Sequence, residues 1–315
     1  MSGLRDASPS ELLERAAHGD RAALARLLSL VERGGAGARS VAEVVHPLAG
    51  AAHTIGITGS PGAGKSSLTN ALCAEVRAAG DRVSVLAIDP SSPFSGGAIL
   101  GDRVRMGDHA LDEGVFIRSM ATRGHLGGLS LATPEAARVL DAVGFPWIVI
   151  ETVGVGQVEL DVAGAADTTV VVVNPGWGDA VQANKAGLME IADVFVINKA
   201  DRPGASETRR DLEGMLALGT DRDHVPPIVE TVATTGEGVA VLWQALRDHR
   251  EAIEASGELA RRRAARADEE LRAVVVARLT ERAHGLCDGA EWSAAREAVL
   301  ARRLDPWAAA GRLID

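Results

Sequence analysis

A glycine-rich run at residues 59–67 combines the residue types and the spacing of a phosphate-binding loop. The run is Gly59-Ser60-Pro61-Gly62-Ala63-Gly64-Lys65-Ser66-Ser67, and all but its last residue match G-x-x-x-x-G-K-[ST]. Glycine lets successive backbone N–H groups converge on phosphate oxygens, and the helix expected after the loop adds its positive end. We expect Lys65 to reach the β- and γ-phosphates of a nucleotide, Ser66 to bind Mg²⁺ and Ser67 to contact the α-phosphate. The alternative is a chance glycine-rich turn, which the flanking apolar run and helix-like segment disfavour.

A second motif indicates which base the nucleotide carries. Asn198-Lys199-Ala200-Asp201 follows the apolar run Val194–Ile197 and matches N-K-x-D. The carboxylate of Asp201 can accept from both the ring N1–H and the exocyclic amine of guanine, whereas adenine lacks that donor pair. We expect Lys199 to lie along the base plane and Asn198 to tie loops together. A helix N-cap at Asp201 is the alternative, but a phosphate loop upstream favours guanine.

A third polar segment, Thr231-Val232-Ala233, follows another short apolar run. It is similar to the last guanine-contacting loop of GTPases, in which a backbone N–H meets the base carbonyl. We assign that N–H to Ala233. The residue before it is Val232, where serine is usual, so the side-chain part of the match is weaker.

Three carboxylates are candidate ligands of the metal ion that accompanies a nucleotide. Asp89 and Glu151 each follow a strand-like run, and Asp102 lies in a glycine-rich loop. Mg²⁺ prefers few protein carboxylates, with water and phosphate oxygens completing its shell. We expect Asp89 and Glu151 to bind directly or through water, and Asp102 to arrive from a loop. Asp102 as a simple turn former stays open.

Two loops are candidates for sensing the nucleotide. One is Ser91–Met106, and the other is Glu151–Gln157, in which the N–H of Gly154 is placed to sense the γ-phosphate. In small GTPases a glutamine directly follows that glycine and orients the attacking water. Here Val155 takes that position and Gln157 is displaced. Lys65, Glu151 and Gln157 are our candidate catalytic residues, and we predict slow hydrolysis unless a partner completes the site.

The elements that must hold these residues alternate between short apolar runs and helical stretches. The apolar runs are Thr54–Thr58, Val83–Ile88, Val115–Ile117, Trp147–Ile150, Thr169–Val173, Val194–Ile197 and Pro227–Val229. Such alternation predicts βαβ units, and therefore an α/β fold with a mostly parallel sheet.

The two ends of the chain read as helical. Leucines at helical spacing predict helices between Ser10 and Val31 that end near Gly34 and Gly35. From Glu258 the composition changes to Arg, Ala, Glu and Leu, and residues 271, 274, 275, 278 and 279 form one stripe. We therefore divide the chain into an N-terminal helical extension (1–50), a P-loop GTPase domain (51–256) and a C-terminal helical dimerisation arm (257–315). Arg261-Arg262-Arg263 reads as a solvated face of that arm.

Bulk composition excludes several classes of partner. The formal charge is −10, whereas nucleic-acid binders carry clustered excess Lys and Arg, so we expect no nucleic-acid partner. Cys73 and Cys287 suggest neither a disulfide framework nor a metal site. No apolar run is long enough to span a membrane, so we predict a cytoplasmic protein without a membrane partner.

Further strings give the sequence a family resemblance. They are Asp89-Pro90-Ser91-Ser92, Gly101-Asp102-Arg103-Val104-Arg105-Met106, Arg118-Ser119-Met120-Ala121-Thr122-Arg123-Gly124, Gly127-Gly128-Leu129 and Glu151-Thr152-Val153-Gly154-Val155-Gly156-Gln157. With the two nucleotide motifs they resemble the MeaB/ArgK family of methylmalonyl-CoA mutase-associated GTPases.

The resemblance implies a homodimeric, Mg²⁺-dependent GTPase that cycles between GTP and GDP. It implies a chaperone that binds the adenosylcobalamin-dependent mutase, gates cofactor delivery and protects or restores the active enzyme. A third mobile loop is implied at Asn174–Lys185, where Trp177 stands in place of a small residue. Lys185 can equally be an ordinary surface lysine. Arg118 and Arg123 either neutralise developing charge or form structural ion pairs.

Three alternatives belong to other classes. A metallochaperone GTPase shares the nucleotide core but usually carries clustered His or Cys, and the histidines here are scattered. A small-molecule or protein kinase would prefer ATP and transfer phosphate to an acceptor. A nucleotide-gated binding module with little turnover is compatible with the absence of a glutamine after Gly154.

Overall fold

The computed structural model of the chain describes residues 4, 6–89, 109, 111–121, 132–152, 158–177, 182–218 and 225–314, with the backbone alone for residues 158–160, 182–186 and 218. Two compact units divide it, Met1–Arg263 and Ala264–Asp315. The described part of the first unit contains a β-sheet covered by helices, and that of the second is helical.

Seven parallel strands form the sheet of the first unit. They are β1 (His53–Gly59), β2 (Val83–Asp89), β3 (Val115–Ala121), β4 (Trp147–Thr152), β5 (Thr168–Val173), β6 (Val194–Asn198) and β7 (Ile228–Thr231). Their spatial order is β3-β2-β4-β1-β5-β6-β7, and every pairing is parallel. The predicted α/β fold with a parallel sheet is confirmed. Strand β1 lies in the middle. The chain forms β2 and β3 on one side, returns with β4 next to β1, and then forms β5, β6 and β7 on the other side, so ligands are expected beyond the carboxyl end of β1.

Helices precede, connect and follow the strands. They are α1 (Pro9–Ala17), α2 (Arg21–Arg33), α3 (Gly35–Val45), α4 (Lys65–Ala78), α5 (Ala132–Ala142), α6 (Val158–Ala165), α7 (Gln182–Ile191), α8 (Ala205–Leu218), α9 (Val239–Ala255), α10 (Glu258–Leu286), α11 (Ala290–Leu300) and α12 (Pro306–Ile314), with a short 3₁₀ turn at His46–Leu48.

The strands are buried on both faces, which is why they read as unbroken Val and Ile runs. All residues of β2, β4, β5 and β6 are buried. One apolar cluster joins the sheet to α1–α3 and α5, and includes Leu27, Phe116 and Leu140. Another joins it to α4 and α9, and includes Leu72 and Leu246. The sheet is therefore held rigidly between two helical layers.

The N-terminal region contains one helix that the sequence did not predict. Helices were expected to end near Gly34 and Gly35, but α3 begins at Gly35 and continues to Val45. Glycine disfavours helix interiors, so the residue propensities of this segment did not indicate a helix. Val41 and Val45, one turn apart, are fully buried in the core and supply the stabilisation that propensity lacks.

A chain of buried polar side chains crosses the amino ends of β1 and β5. His53 Nε2 lies 2.7 Å from Thr168 Oγ1, which lies 2.8 Å from His249 Nδ1. His249 Nε2 lies 3.3 Å from the carboxylate of Asp193, just before β6. An ionised carboxylate only accepts, so we assign Nε2–H of His249 as the donor to Asp193. Thr168 then donates to His249 and accepts from His53.

The environment shifts the pKa values of this chain in opposite ways. Burial lowers the pKa of His53 to about 4, although the nearby Asp167 opposes that shift. Burial would raise the pKa of Asp193, but hydrogen bonds from His249 and Arg262 outweigh it and lower that pKa to about 2. At neutral pH the network therefore holds a neutral His53 and an ionised Asp193.

Two arginines at the start of α10 bind the acidic residues beside the amino ends of the strands. We call this set of residues the amino-edge cluster: His53, Asp167, Thr168, Asp193, His249, Arg262 and Arg263. Arg262 donates to both oxygens of Asp193 at 3.0 Å. Arg263 donates to Asp167 at 2.7 and 3.1 Å and to the carbonyl of Ala52 at 2.7 Å. The prediction of a solvated arginine face is wrong for these two residues, since the acidic partners lie far away in sequence and only the fold brings them near. Arg261 is exposed, as predicted.

The second unit exposes much of its apolar surface within the described chain. Residues 271, 274, 275 and 279 of α10 lie between 37% and 63% exposed. Trp307 of α12 is 89% exposed. No helix among the described residues combines the length and the apolar character needed to cross a membrane.

Candidate nucleotide-binding site

The glycine-rich loop lies between the end of β1 and the start of α4. Gly59 has φ 128°, and a Cβ there would overlap the carbonyl oxygen of Val172 in β5, so only glycine fits. The side chain of Lys65 folds back over the loop. Its ammonium donates to the carbonyl of Gly59 at 2.5 Å and to that of Ser60 at 3.0 Å. A buried positive charge is thus held at the loop by neutral oxygens.

Oxygen atoms suited to a hard cation meet beside the loop. The hydroxyl of Ser66 donates to the carboxylate of Glu151, which is 3% exposed at the end of β4. Asp89 is fully buried at the end of β2, the strand that pairs with β4. Hydroxyl and carboxylate oxygens at one sheet edge fit the donor set that Mg²⁺ prefers. The remaining candidates for this site, Asp102 and Gln157, lie outside the described residues.

Asn198 joins three loops of the candidate site. Its Nδ2 donates to the carbonyl of Ala63 at 2.8 Å, and its Oδ1 accepts from Thr231 Oγ1 at 3.2 Å and from the Ala233 N–H at 3.1 Å. Gly64 has to be glycine here, because a Cβ would lie 2.5 Å from Asn198 Nδ2. The glycine-rich loop, β6 and the loop after β7 are therefore held in one arrangement.

The neighbours of Asn198 form an open surface. Lys199 has φ 61°, a rare conformation for a residue with a side chain, and its ammonium donates to the carbonyl of Gly62 at 2.6 Å. Asp201 is exposed two residues further along. The N–H of Ala233, which we assigned to a base carbonyl, is directed at Asn198 in this structure. Val232 is buried.

The structure separates the remaining candidates. Arg118 donates to the carboxylate of Glu32 in α2 at 3.0 Å, which favours the ion-pair alternative for this arginine. Trp177 is 4% exposed and packs in an apolar cluster with Leu188 and Phe195. Arg123, the whole loop at residues 91–106 and the side chain of Lys185 lie outside the described residues.

Sequence reasoning missed Glu32. It lies almost ninety residues from the arginine that it binds, and its helix carries no motif, so no local signal could have identified it. No group of three or more His, Cys, Asp or Glu side chains able to hold a metal ion occurs within the described ranges.

Comparison with known protein families shows which family the chain belongs to. The model of the methylmalonyl Co-A mutase-associated GTPase MeaB matches residues 24–287. The chain belongs to this family. Membership in the MeaB family confirms the resemblance, the guanine nucleotide and the GTP hydrolase activity that the motifs predicted.

Relatives extend over most of the chain. A protein of Pyrococcus horikoshii that is named as a GTPase is 49% identical over 311 residues, 97% of each chain. The GTPase ArgK of Escherichia coli is 37% identical over 265 residues, 81% of this chain and 80% of ArgK. The mitochondrial methylmalonic aciduria type A homolog of Mus musculus is 37% identical over 267 residues, 78% of this chain and 64% of that protein.

A solved structure shares the whole fold. The crystal structure of a LAO/AO transport system kinase superposes with a TM-score of 0.71 at 28% identity, covering 97% of this chain and 96% of that one. The MeaB-family chain therefore has the same architecture as a protein described as a kinase. That description applies to the other protein.

Proposed function

We propose that this MeaB-family chain is a Mg²⁺-dependent GTPase that acts as a chaperone and regulator of an adenosylcobalamin-dependent methylmalonyl-CoA mutase. The single observation that supports the nucleotide part is the position of Asn198, which ties the glycine-rich loop to the Lys199–Asp201 segment. The mutase part rests on the family description, which names the mutase as the associated enzyme. The name of the mouse relative is consistent with it.

The glycine-rich loop supplies the phosphate contacts in this proposal. Residues 59–67 offer backbone N–H groups at the amino end of α4, where anions bind favourably. Lys65 exchanges its neutral carbonyl partners for phosphate oxygens, because hydrogen bonds between charged groups are stronger than those to neutral ones. Ser67 contacts the α-phosphate.

Asp201 and its neighbours recognise the base. Asp201 accepts from the two guanine donors, Lys199 lies along the base, and residues 231–233 close the far side. Asn198 already holds these segments together, so little ordering is needed when guanine binds. The arrangement therefore favours GTP over ATP.

Ser66, Asp89, Asp102 and Glu151 are the residues that would hold the cation. When bound, Mg²⁺ would neutralise the negative charge on the β- and γ-phosphate oxygens. The hydroxyl of Ser66, which now donates to Glu151, would bind the cation, and Glu151 would hold a water molecule beside it. Lys65, Glu151 and Gln157 form the proposed catalytic set, and the displaced position of Gln157 leads us to propose slow turnover without the partner.

A homodimer is proposed through α10. Leu271, Val274, Val275 and Leu279 lie on one helical face and are exposed. Contiguous apolar surface of this kind marks interfaces. Val275→Glu is expected to shift the molecular mass measured by light scattering from two chains to one, and an unchanged mass would reject this face.

The three-part division at residues 50 and 256, and a cytoplasmic location, remain our proposals.

The decisive experiment measures phosphate release from GTP and from ATP, with and without a purified methylmalonyl-CoA mutase of the same source. We expect selectivity for GTP and faster turnover with the mutase. GTP turnover at the same rate with and without the mutase would reject the proposed regulatory role and leave the GTPase assignment intact. Preference for ATP with labelled phosphate on an acceptor would instead identify a kinase.

A further inference from the structure

Helix α2 is fastened to strand β3 at both ends. Near the start of the helix, the guanidinium of Arg21 donates to the carbonyls of Asp112 and Val115 at 3.2 and 3.0 Å. In its last turn, Glu32 Oε1 accepts from the backbone N–H of Ala121, the final residue of β3, at 3.4 Å. The helix is therefore hydrogen-bonded to the chain at both ends of the strand.

The anchor at Glu32 is ionic as well as polar. Its other oxygen, Oε2, accepts from Arg118 Nη2 at 3.0 Å, and Ser29 Oγ, one turn earlier in α2, lies 3.3 Å from the same nitrogen. The side chain of Glu32 is 11% exposed. The carboxylate thus joins the helix to the end of the strand through both a side chain and a backbone N–H, and hydrogen bonds to a charged group are stronger than neutral ones.

Strand β3 is next to the candidate metal site. It lies at one edge of the sheet, and its described pairing is with β2. In that pairing Ala121 is the register partner of Asp89. Glu32 is therefore one strand away from the buried carboxylate that we assigned to Mg²⁺. A shift of the β3 end moves the backbone that carries Asp89.

We propose that Glu32 is a positioning residue for Asp89: by holding the carboxyl end of β3, it sets where the Asp89 carboxylate meets the cation. This inference rests on the proposed function, because it requires Asp89 to bind Mg²⁺. The ion demands near-ideal octahedral geometry, so a small displacement of one ligand weakens binding. Loss of the anchor leaves the edge strand to fray at its end.

The test measures the dissociation constant of Mg²⁺ for the full-length chain in the presence of GDP by calorimetric titration, together with the Mg²⁺ concentration that gives half-maximal GTP hydrolysis. Glu32→Gln keeps the shape of the side chain and removes its charge, and we expect it to raise both values about fivefold. The KM for GTP at saturating Mg²⁺ should stay within about twofold, since no phosphate or base contact is altered. Arg118→Lys, which keeps the charge but loses the fork, should shift the same concentration in the same direction.

A double-mutant cycle separates positioning from general stability. If Glu32 acts through Asp89, Glu32→Gln has little further effect on Mg²⁺ dependence in an Asp89→Asn background. The matched control is Glu43→Gln, the same substitution at an exposed position of α3. Equal Mg²⁺ dependence of Glu32→Gln and Glu43→Gln, or additive effects in the cycle, would overturn the inference while Asp89 keeps its role. Unchanged Mg²⁺ dependence of Asp89→Asn itself would overturn the metal assignment and this inference with it.

Discussion

At the carboxyl edge of the sheet, Lys65 donates to neutral carbonyl oxygens of its own loop, whereas at the amino edge Arg262 and Arg263 donate to the carboxylates of Asp193 and Asp167. A cation held by neutral oxygens gains energy when an anion replaces them. If a cation that is paired with a buried carboxylate moves away, the carboxylate stays buried without a compensating charge, which is unfavourable. The described contacts of these cations therefore differ in reach: those of Lys65 stay within its own loop, whereas those of Arg262 and Arg263 join distant segments of the fold.

The two edges also differ in how their residues are positioned. The glycine-rich loop depends on backbone conformations, such as φ 128° at Gly59, that follow from local sequence. The amino-edge cluster depends on contacts between distant segments, as between His53 and His249 through Thr168. Changes at the carboxyl edge should therefore alter ligand binding, and changes at the amino edge should alter stability.

The largest effect is expected from Lys65→Ala. It removes the buried ammonium that we assign to two phosphates, so GTP affinity should fall by about 5 kcal/mol, more than a thousandfold. The free energy of unfolding without nucleotide should change by less than about 1 kcal/mol, because the two hydrogen bonds described for the lysine stay within its own loop and join no distant segments. Calorimetric titration and urea unfolding measure the two quantities. Arg272→Ala at an exposed position is the control, and retained micromolar affinity contradicts the phosphate assignment.

The opposite pattern is expected from Asp167→Ala. The carboxylate is buried and binds Arg263 and the backbone N–H of Thr54. Its removal takes the acceptor from the Thr54 N–H and the negative charge from Arg263, and should lower the free energy of unfolding by about 4 kcal/mol. GTP affinity below the melting transition should stay within about twofold of the parent. Asp268→Ala, at an exposed ion pair, is the matched control. If Asp167→Ala weakens GTP binding more than stability, the division between the edges fails.

The candidate site residues at the carboxyl edge could be predicted from the sequence because they form contiguous motifs. The strings at residues 59–66 and 198–201 each follow a buried strand, and parallel strands bring their carboxyl ends to one edge. Strand order could not be read from the sequence. It depends on which apolar faces pack together, and similar Val and Ile runs suit several orders.

The amino edge could not be predicted, for a physical reason. Arg262 and Arg263 sit in a run of charges that locally resembles a solvated helix face, while Asp167 and Asp193 precede strands as ordinary turn residues do. Only the fold places these charges together. Glu32 was missed for the same reason, since its partner Arg118 lies on a strand far along the chain.

A pH titration sharpens the comparison at His53. Burial lowers its pKa to about 4 from the ordinary histidine value of 6.5, so between those values the unfolded chain binds more protons than the folded one. Stability should therefore fall by up to about 3 kcal/mol as the pH decreases from 6.5 to 4. Urea unfolding at a series of pH values measures the slope, and His53→Gln should flatten it. An identical slope in His53→Gln and the parent would show that other groups cause the acid sensitivity.

The smallest effect is expected from Asp201→Asn, which tests base recognition without disturbing the loop. An amide no longer accepts from both guanine donors, so GTP affinity should fall by about 2 kcal/mol. Xanthosine triphosphate, which presents a carbonyl where guanine has its amine, should bind the variant better than GTP. Competition with a fluorescent nucleotide measures both affinities, and Asp211→Asn on the exposed face of α8 is the matched control. Because Asp201 is exposed, stability should not change, so an unchanged base preference would mean that Asp201 is not the residue that recognises guanine.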